Sequence, residues 1–330
     1  MKTVQDVKKY GVYLPLFLLL WVSSQVFAQG GAAGGFLRIG VGARAKAMGN
    51  AYVALARGLE SSYYNPAGLP LLENREVVAS YRFLSLDRQF SFIGFGLPIQ
   101  PKISGTGEQA LSGGLALTWI HAGVGHIDGR NSDGASTGEL SNSENAFALS
   151  FALNPVPVLS VGLTVKVLWN RFPEVGGSGQ TVSASGVGFD FGALLRPNSW
   201  LSLGVSIKDI NSKYTWNTDK IYGEDGSEVI NKFPKVVRAG LAARVPQVSD
   251  LLFVFDFEDS KELDSRVHFG AEKGVQHNIV VRCGYDDGSL TAGAGVDFDM
   301  FGKMSQLNYS FVSAGNRPQE EHVFTWVFQF

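Results

Sequence analysis

A single cysteine, Cys283, stands in a chain of 330 residues, so no internal disulfide can hold the fold. Nor is positive charge in excess: 28 Lys and Arg face 30 Asp and Glu, a formal net charge of −2 at pH 7. That balance argues against nucleic acid as a partner. Beyond the N-terminal segment there is no apolar run long enough for a membrane helix. A helical inner-membrane protein is thereby excluded, but a barrel is not, because lipid-facing residues of a barrel occupy only every second position. Catalytic and metal-binding patterns are absent as well. His121, His126, His268, His277 and His322 show no ligand spacing. His126 with Asp128 and Asp133 falls in a polar stretch, 124–144, that reads as an exposed loop. The Gly-rich stretch 176–186 follows no strand-to-helix pattern and is a flexible loop, not a phosphate cradle. No enzyme activity, metal or cofactor is expected.

What is present starts with an export signal. Lys2, Lys8 and Lys9 form a basic start, residues 12–22 are apolar, and Val26-Phe27-Ala28 has the small or apolar character of a cleavage site. The apolar run is too short to span a bilayer, so residues 1–28 read as a secretory signal that leaves Gln29 as the first mature residue. No Cys follows the run, which rules out a lipoprotein signal. An exported domain without disulfides can be held by a closed hydrogen-bonded sheet. The 40 Gly and 12% aromatic residues suit strands that curve, with rings packing over bare backbone.

The C-terminus supports that sheet. Phe324, Trp326, Phe328 and Phe330 share one face of a period-two pattern, opposite Val323, Thr325, Val327 and Gln329. Such an aromatic band fits a strand facing lipid and the terminal signal read by barrel-insertion machinery; a buried edge strand of a soluble sandwich gives the same pattern. From residue 77 onward fourteen candidate strands can be marked: 77–84, 90–99, 112–123, 145–154, 159–172, 186–197, 201–210, 235–246, 251–259, 266–275, 278–288, 290–300, 305–312 and 322–330. In 159–172, Leu159 to Trp169 at odd positions oppose Ser160, Gly162, Thr164, Lys166 and Asn170. Cys283 alternates with Val281 and Tyr285 as a small wall residue, not a nucleophile. Alternation alone cannot separate a membrane barrel from a sandwich. The connections can: mostly short after even-numbered strands, often long and polar after odd ones, as in 124–144, 173–185, 211–234 and 313–321. The gaps 100–111 and 287–289 depart from that rule. The expected fold is all-β, a transmembrane antiparallel β-barrel of about 14 strands at residues 77–330.

Residues 29–76 do not read as strand. An Ala-rich stretch broken by Gly runs to Tyr63-Tyr64-Asn65-Pro66-Ala67-Gly68-Leu69, where Asn-Pro starts a turn before the barrel. The stretch FLRIGVGARAKAMGNAYVALA from Phe36, followed by YYNPAGL, resembles the N-terminal signature of the PorV/PorQ family, within the broader FadL-like outer-membrane proteins. The resemblance is specific across residues 36–69 and weaker through the strands. It implies a fourteen-stranded barrel whose N-terminal segment folds into the lumen as a small helical plug. Its motif residues would be Arg38, Gly42, Arg44, Met48, Gly49, Asn65, Pro66, Ala67 and Gly68. Arg57-Gly58 departs from the pattern, since relatives usually carry acidic residues there, so any role of that acidic pair does not carry over. Arg44 and Lys46 could meet inward carboxylates such as Asp190, Asp256, Glu258, Asp297 or Asp299, or could remain solvated lumen charges.

Two functions follow. The resemblance implies first a non-enzymatic component or adaptor of protein secretion and surface attachment, contacting secreted cargo or a translocon through external loops. Tyr214, Trp216, Ile221 and Tyr222 in 211–234 are candidate partner anchors, or equally a membrane-interface aromatic belt. The alternative is a FadL-like passive transporter of hydrophobic small molecules. That needs an apolar pocket near the plug and a gap in the sheet, for which Pro98 and Pro101 are candidate sites. In either case the chain is expected in a bacterial outer membrane, with outer-membrane lipid and the insertion machinery as partners.

Overall fold

The computed structural model describes residues 32–99, 111–173, 181–219, 223, 226–246, 248, 250–276 and 278–330. The expected signal segment 1–28 lies outside these residues, as do Ile221, Tyr222 and Pro101. A short 3-10 helix (Gly35–Arg38), helix α1 (Ala43–Ala47), helix α2 (Ser61–Tyr64) and a second 3-10 helix (Pro66–Leu71) precede the sheet. The strands are β1 (Glu76–Phe83), β2 (Arg88–Ile99), β3 (Ser112–Arg130), β4 (Ser136–Val156), β5 (Leu159–Phe172), β6 (Val182–Leu195), β7 (Leu201–Ile210), β8 (Lys213–Asn217), β9 (Glu228–Lys232), β10 (Val236–Arg244), β11 (Leu251–Ser260), β12 (Arg266–Gln276), β13 (Ile279–Asp286), β14 (Ser289–Met300), β15 (Lys303–Val312) and β16 (Glu321–Gln329).

Setting aside the short pair β8 and β9, fourteen strands pair antiparallel with their neighbours around a ring. The seam closes where β1 pairs β16, from Glu76↔Gln329 to Phe83↔His322. Closure removes sheet edges, which a strand structure in lipid requires. Each strand in the expected list has a counterpart in this ring. The alternation also falls as the lipid reading requires. Phe253, Phe255 and Phe257 on β11 are exposed while Val254, Asp256 and Glu258, alternating with them, are buried. Phe324, Trp326 and Phe330 likewise point outward at about 40% exposure, forming part of an apolar exterior. Cys283 is an exposed wall residue on β13.

Two external loops differ from expectation. Most of 124–144 is strand: β3 and β4 run 19 and 21 residues, joined by a turn around Asn131–Ala135. These are longer than a tilted membrane strand needs, because a hairpin ladder can continue into water once its register is set. Within 211–234, β8 and β9 pair with each other, and β8 also pairs β6 at Ala184↔Trp216 and Ser185↔Thr215.

The segment from Ala32 to Leu72 fills the barrel. Met48, Ala51, Tyr52, Leu59, Tyr64 and Leu69 are fully or almost fully buried against wall residues such as Phe92, Ala116, Ala152 and Leu168. Small wall residues make room for it. A Cβ on Gly162 of β5 would lie 2.5 Å from the Pro66 carbonyl carbon, and one on Gly270 of β12 would lie 2.5 Å from the Met48 oxygen. Backbone lies against backbone at both places, which only glycine permits.

Candidate functional site

The plug is bolted to the wall by charge and by backbone capture. Arg44 grips Glu272 with two parallel bonds, Nε to Oε2 at 2.8 Å and Nη2 to Oε1 at 2.7 Å. Glu272 also accepts from Arg282 Nε at 2.7 Å. Lys46 pairs with Asp286 at 2.6 Å, and Asp286 also meets Arg317 at 2.6 Å and His268 at 2.9 Å. Buried charge persists where it is paired and hydrogen-bonded, and two-toothed Arg–carboxylate contacts add direction. The partners of Arg44 and Lys46 are therefore not the five carboxylates named from sequence. Those five serve elsewhere. Asp190 pairs with Lys166, Glu258 with Arg238, Asp297 accepts from Gln306, and Asp299 accepts from the Gly302 amide. Asp256 holds the plug by another route, accepting the Tyr52 and Val53 amides at 2.7 and 2.9 Å. Which inward carboxylate faces the plug depends on strand register and height, and alternation fixes neither.

The other motif residues have local tasks. Arg38 donates to the Ala33 and Ala32 carbonyls, closing the start of the plug on itself. Gly42 precedes α1 with φ 75°, and the following Ala43 amide donates to Thr325 Oγ1 at 2.7 Å on the C-terminal strand. Met48 is buried, and Gly49, at φ 66°, donates its amide to Thr291 Oγ1 at 3.1 Å. Asn65 joins plug to wall: its Nδ2 donates to Val53 O at 2.9 Å and Ala193 O at 3.0 Å, while its Oδ1 accepts the Ala67 amide at 3.1 Å. That last bond caps the 3-10 helix begun by Pro66. Gly68 lies under the Ala56 carbonyl, 2.1 Å from where its Cβ would be. The motif thus builds one bend and ties it to β6. Arg82, missed from sequence, is fully buried and donates to Ile39 O and Gly40 O from the wall; its place among the inward residues of β1 was the available signal.

The wall has one deep irregularity near the plug. Register between β6 and β7 jumps from Phe191↔Ile207 to Phe189↔Ile210, a bulge with Asp209 at φ 61° and Asn211 at φ 58°. Asp190 Oδ1 accepts the Asp209 amide at 2.8 Å, Lys166 sits 2.7 Å from Asp190, and Ser212 Oγ donates to Asp209 Oδ1 at 3.1 Å. Past the bulge the chain crosses the inner face of β6. Lys213 O lies 1.7 Å from where a Cβ on Gly186 would be. By contrast, β2 and β3 keep register through Pro98↔Gly114, so Pro98 does not interrupt the ladder. Immediately inside the bulge, Leu37, Tyr63, Ile120, Ala146 and Lys208 surround an enclosed space of about 10 Å3, room for one water at most. Lys208 stacks its ammonium over the Tyr63 ring at 3.3 Å.

Solved structures of the same shape include the CymD monoaromatic hydrocarbon channel, with a TM-score of 0.62 at 13% identity over 88% of this chain and 98% of that one. The Ralstonia pickettii toluene transporter TbuX gives 0.57 at 15% identity, covering 88% of this chain and 98% of its own. A Pseudomonas aeruginosa FadL homologue gives 0.56 at 11% identity, with the same coverage. The fold is that of the FadL-like outer-membrane barrels. Neither a protein-family model nor a curated protein matches the sequence.

In this FadL-like barrel the two described aromatics of the candidate partner loop pack against the core. Tyr214 is buried, donates to Glu144 Oε1 at 3.2 Å, and packs edge-on against Phe233 at 4.9 Å. Trp216 packs against the same core. Neither is a free anchor, because Trp216 also packs on Phe172 and on Tyr214. Among the described residues no group of three or more His, Cys, Asp or Glu could hold a metal. The opposite end, where β1 starts and β6 and β10 meet short turns, opens into two polar cavities of about 430 and 220 Å3 that share Arg57, Leu71 and Arg196. Glu60 lines the larger one. Burial, then the neighbouring Glu76, pushes its carboxyl up to about 7 from 4.5.

Proposed function

We propose that the protein is a passive transporter of hydrophobic small molecules across the outer membrane, closed at rest by its plug. The observation that carries this reading is the bulge between β6 and β7. It breaks the β6–β7 ladder beside the small space lined by Leu37, Tyr63 and Lys208, and bulges recur next to binding sites, where they end pairing locally. A molecule entering from the long-loop end would displace Leu37 and Tyr63, widen that space and leave sideways into lipid. The likeness to channels described for toluene and monoaromatic hydrocarbons supports the class of cargo.

The secretion-adaptor reading rests on the PorV/PorQ resemblance of residues 36–69 alone. Nothing among the structural neighbours supports it, and the burial of Tyr214 removes one of its anchors. We keep that resemblance as one of the plug motif and propose transport as the function. Outer-membrane lipid meets the apolar exterior, and the Phe324, Trp326, Phe328 and Phe330 band is our candidate for the signal read by the insertion machinery.

The test is uptake of radiolabelled toluene by cells with and without the barrel, and with Asp209 deleted to regularise β7. Faster uptake with the native barrel, lost on deletion while the barrel still inserts, is the expected result. Uptake indifferent to both changes would overturn the assignment.

A further inference from the structure

Cations inside this barrel are generally matched: Arg44 and Arg282 by Glu272, Lys46 by Asp286, Lys166 by Asp190 and Arg238 by Glu258. The short-turn end breaks that habit. Arg57 of the plug, Arg196 at the end of β6 and Arg244 at the end of β10 together line the 220 Å3 cavity. None of them makes an ion pair within 4 Å among the described residues. Arg196 and Arg244 continue the inward parity of their strands, after buried Leu194 and Ala242, so both lie on the lumen side of the wall. Both strand ends are fixed by backbone bonds, Arg196 N to Val158 O and Arg244 N to Trp200 O, each at 2.7 Å.

Arg57 is presented to the same cavity by a forced backbone. Ala56 has φ 32° and Gly58 φ 69°, and the Tyr52 hydroxyl clamps the Arg57 carbonyl at 2.8 Å. A left-handed alanine is strained, and the fold accepts that strain to hold this turn. Burial, followed by repulsion from Arg244 and Arg44, pulls the Arg57 guanidinium below its ordinary pKa. Asn198 and Ser199 add polar lining, and Trp200 with Leu55 gives one apolar flank.

We infer that Arg57, Arg196 and Arg244 form an oxyanion site at this mouth of the barrel, taking a phosphate or carboxylate group between plug and wall. Converging guanidinium groups in a half-enclosed cavity favour such a ligand, because each can donate paired N–H bonds to it and its charge relieves their mutual repulsion. The anion bridges a plug residue to two wall residues, so binding adds a tie that holds the plug closed. The oxyanion could be a free soluble anion or the phosphate of a phospholipid drawn into the mouth. The site does not depend on the transport reading.

Calorimetric titration of the full-length barrel in non-ionic detergent tests this, with inorganic phosphate in one arm and dihexanoylphosphatidylglycerol in the other. Saturable binding of either probe, weakened at least about tenfold in Arg196→Gln/Arg244→Gln and retained in Arg196→Lys/Arg244→Lys, is expected. Equal affinity for the two probes assigns a free anion, and tighter binding of the phospholipid assigns a lipid source. Absence of binding to both, or binding unchanged in the Gln variant, overturns the site. The Arg57→Gln variant, changed only in the plug, should weaken binding as well, and unchanged affinity would remove the plug from the site.

Discussion

Arg44 shows how single side chains decide whether the plug stays seated. Its two bonds to Glu272 are mostly shielded from water, and breaking a buried pair by removing one partner costs roughly 3–5 kcal/mol. Arg282 remains on Glu272 and absorbs part of that loss, which places Arg44→Ala at about 3 kcal/mol. The variant should raise the small-solute conductance of single barrels in planar bilayers, and conductance equal to the native protein would count against Arg44 as a bolt. Glu60 predicts a pH effect with a definite sign. Its carboxyl binds a proton more tightly in the folded plug, at about 7, than at the ordinary 4.5. The resulting stabilisation is greatest below pH 4.5 and is lost as pH rises towards 7. Glu60→Gln should therefore flatten the fall in melting temperature between pH 5 and pH 8; parallel curves for the two proteins would refute this. These residues differ in how visible they were in the sequence. Arg44 stood out within its motif, but Glu272 did not, because a strand pattern gives the face of a side chain and not its height opposite the plug.

At the scale of elements, the plug and the wall are fitted through missing side chains. Gly162 faces the Pro66 carbonyl so closely that a larger residue must push the Asn65–Leu69 bend inward. Gly162→Val should destabilise plug seating by roughly 1–3 kcal/mol, seen as faster proteolysis of the plug in a barrel that still inserts; native-like protection would contradict the fit. The strands themselves were legible, because period-two alternation with aromatics outward survives in nearly every one. The bulge at Asp209 was not. Its cause is a three-body arrangement of Lys166, Asp190 and Asp209, contributed by three strands. The packing of β8 on the core was hidden for a similar reason. Tyr214 and Trp216 look like exposed aromatics in a polar loop until Phe233 and Glu144 are brought beside them.

The whole molecule is a closed ring of strands with a plug inside it. Closure makes the wall stiff, whereas the plug is held by side-chain bonds and not by a continuous ladder. Transport as proposed requires that the plug yield. Leu59 packs on β2, with its Cγ 3.3 Å from where a Cβ on Gly94 would lie, close enough for a disulfide between cysteines at the two positions. The decisive measurement is toluene uptake by liposomes carrying Leu59→Cys/Gly94→Cys in a Cys283→Ser background, before and after reduction. Uptake blocked in the oxidised protein and restored by reductant is the predicted result. Equal uptake in both states, with the disulfide shown to form, would contradict a plug that must move.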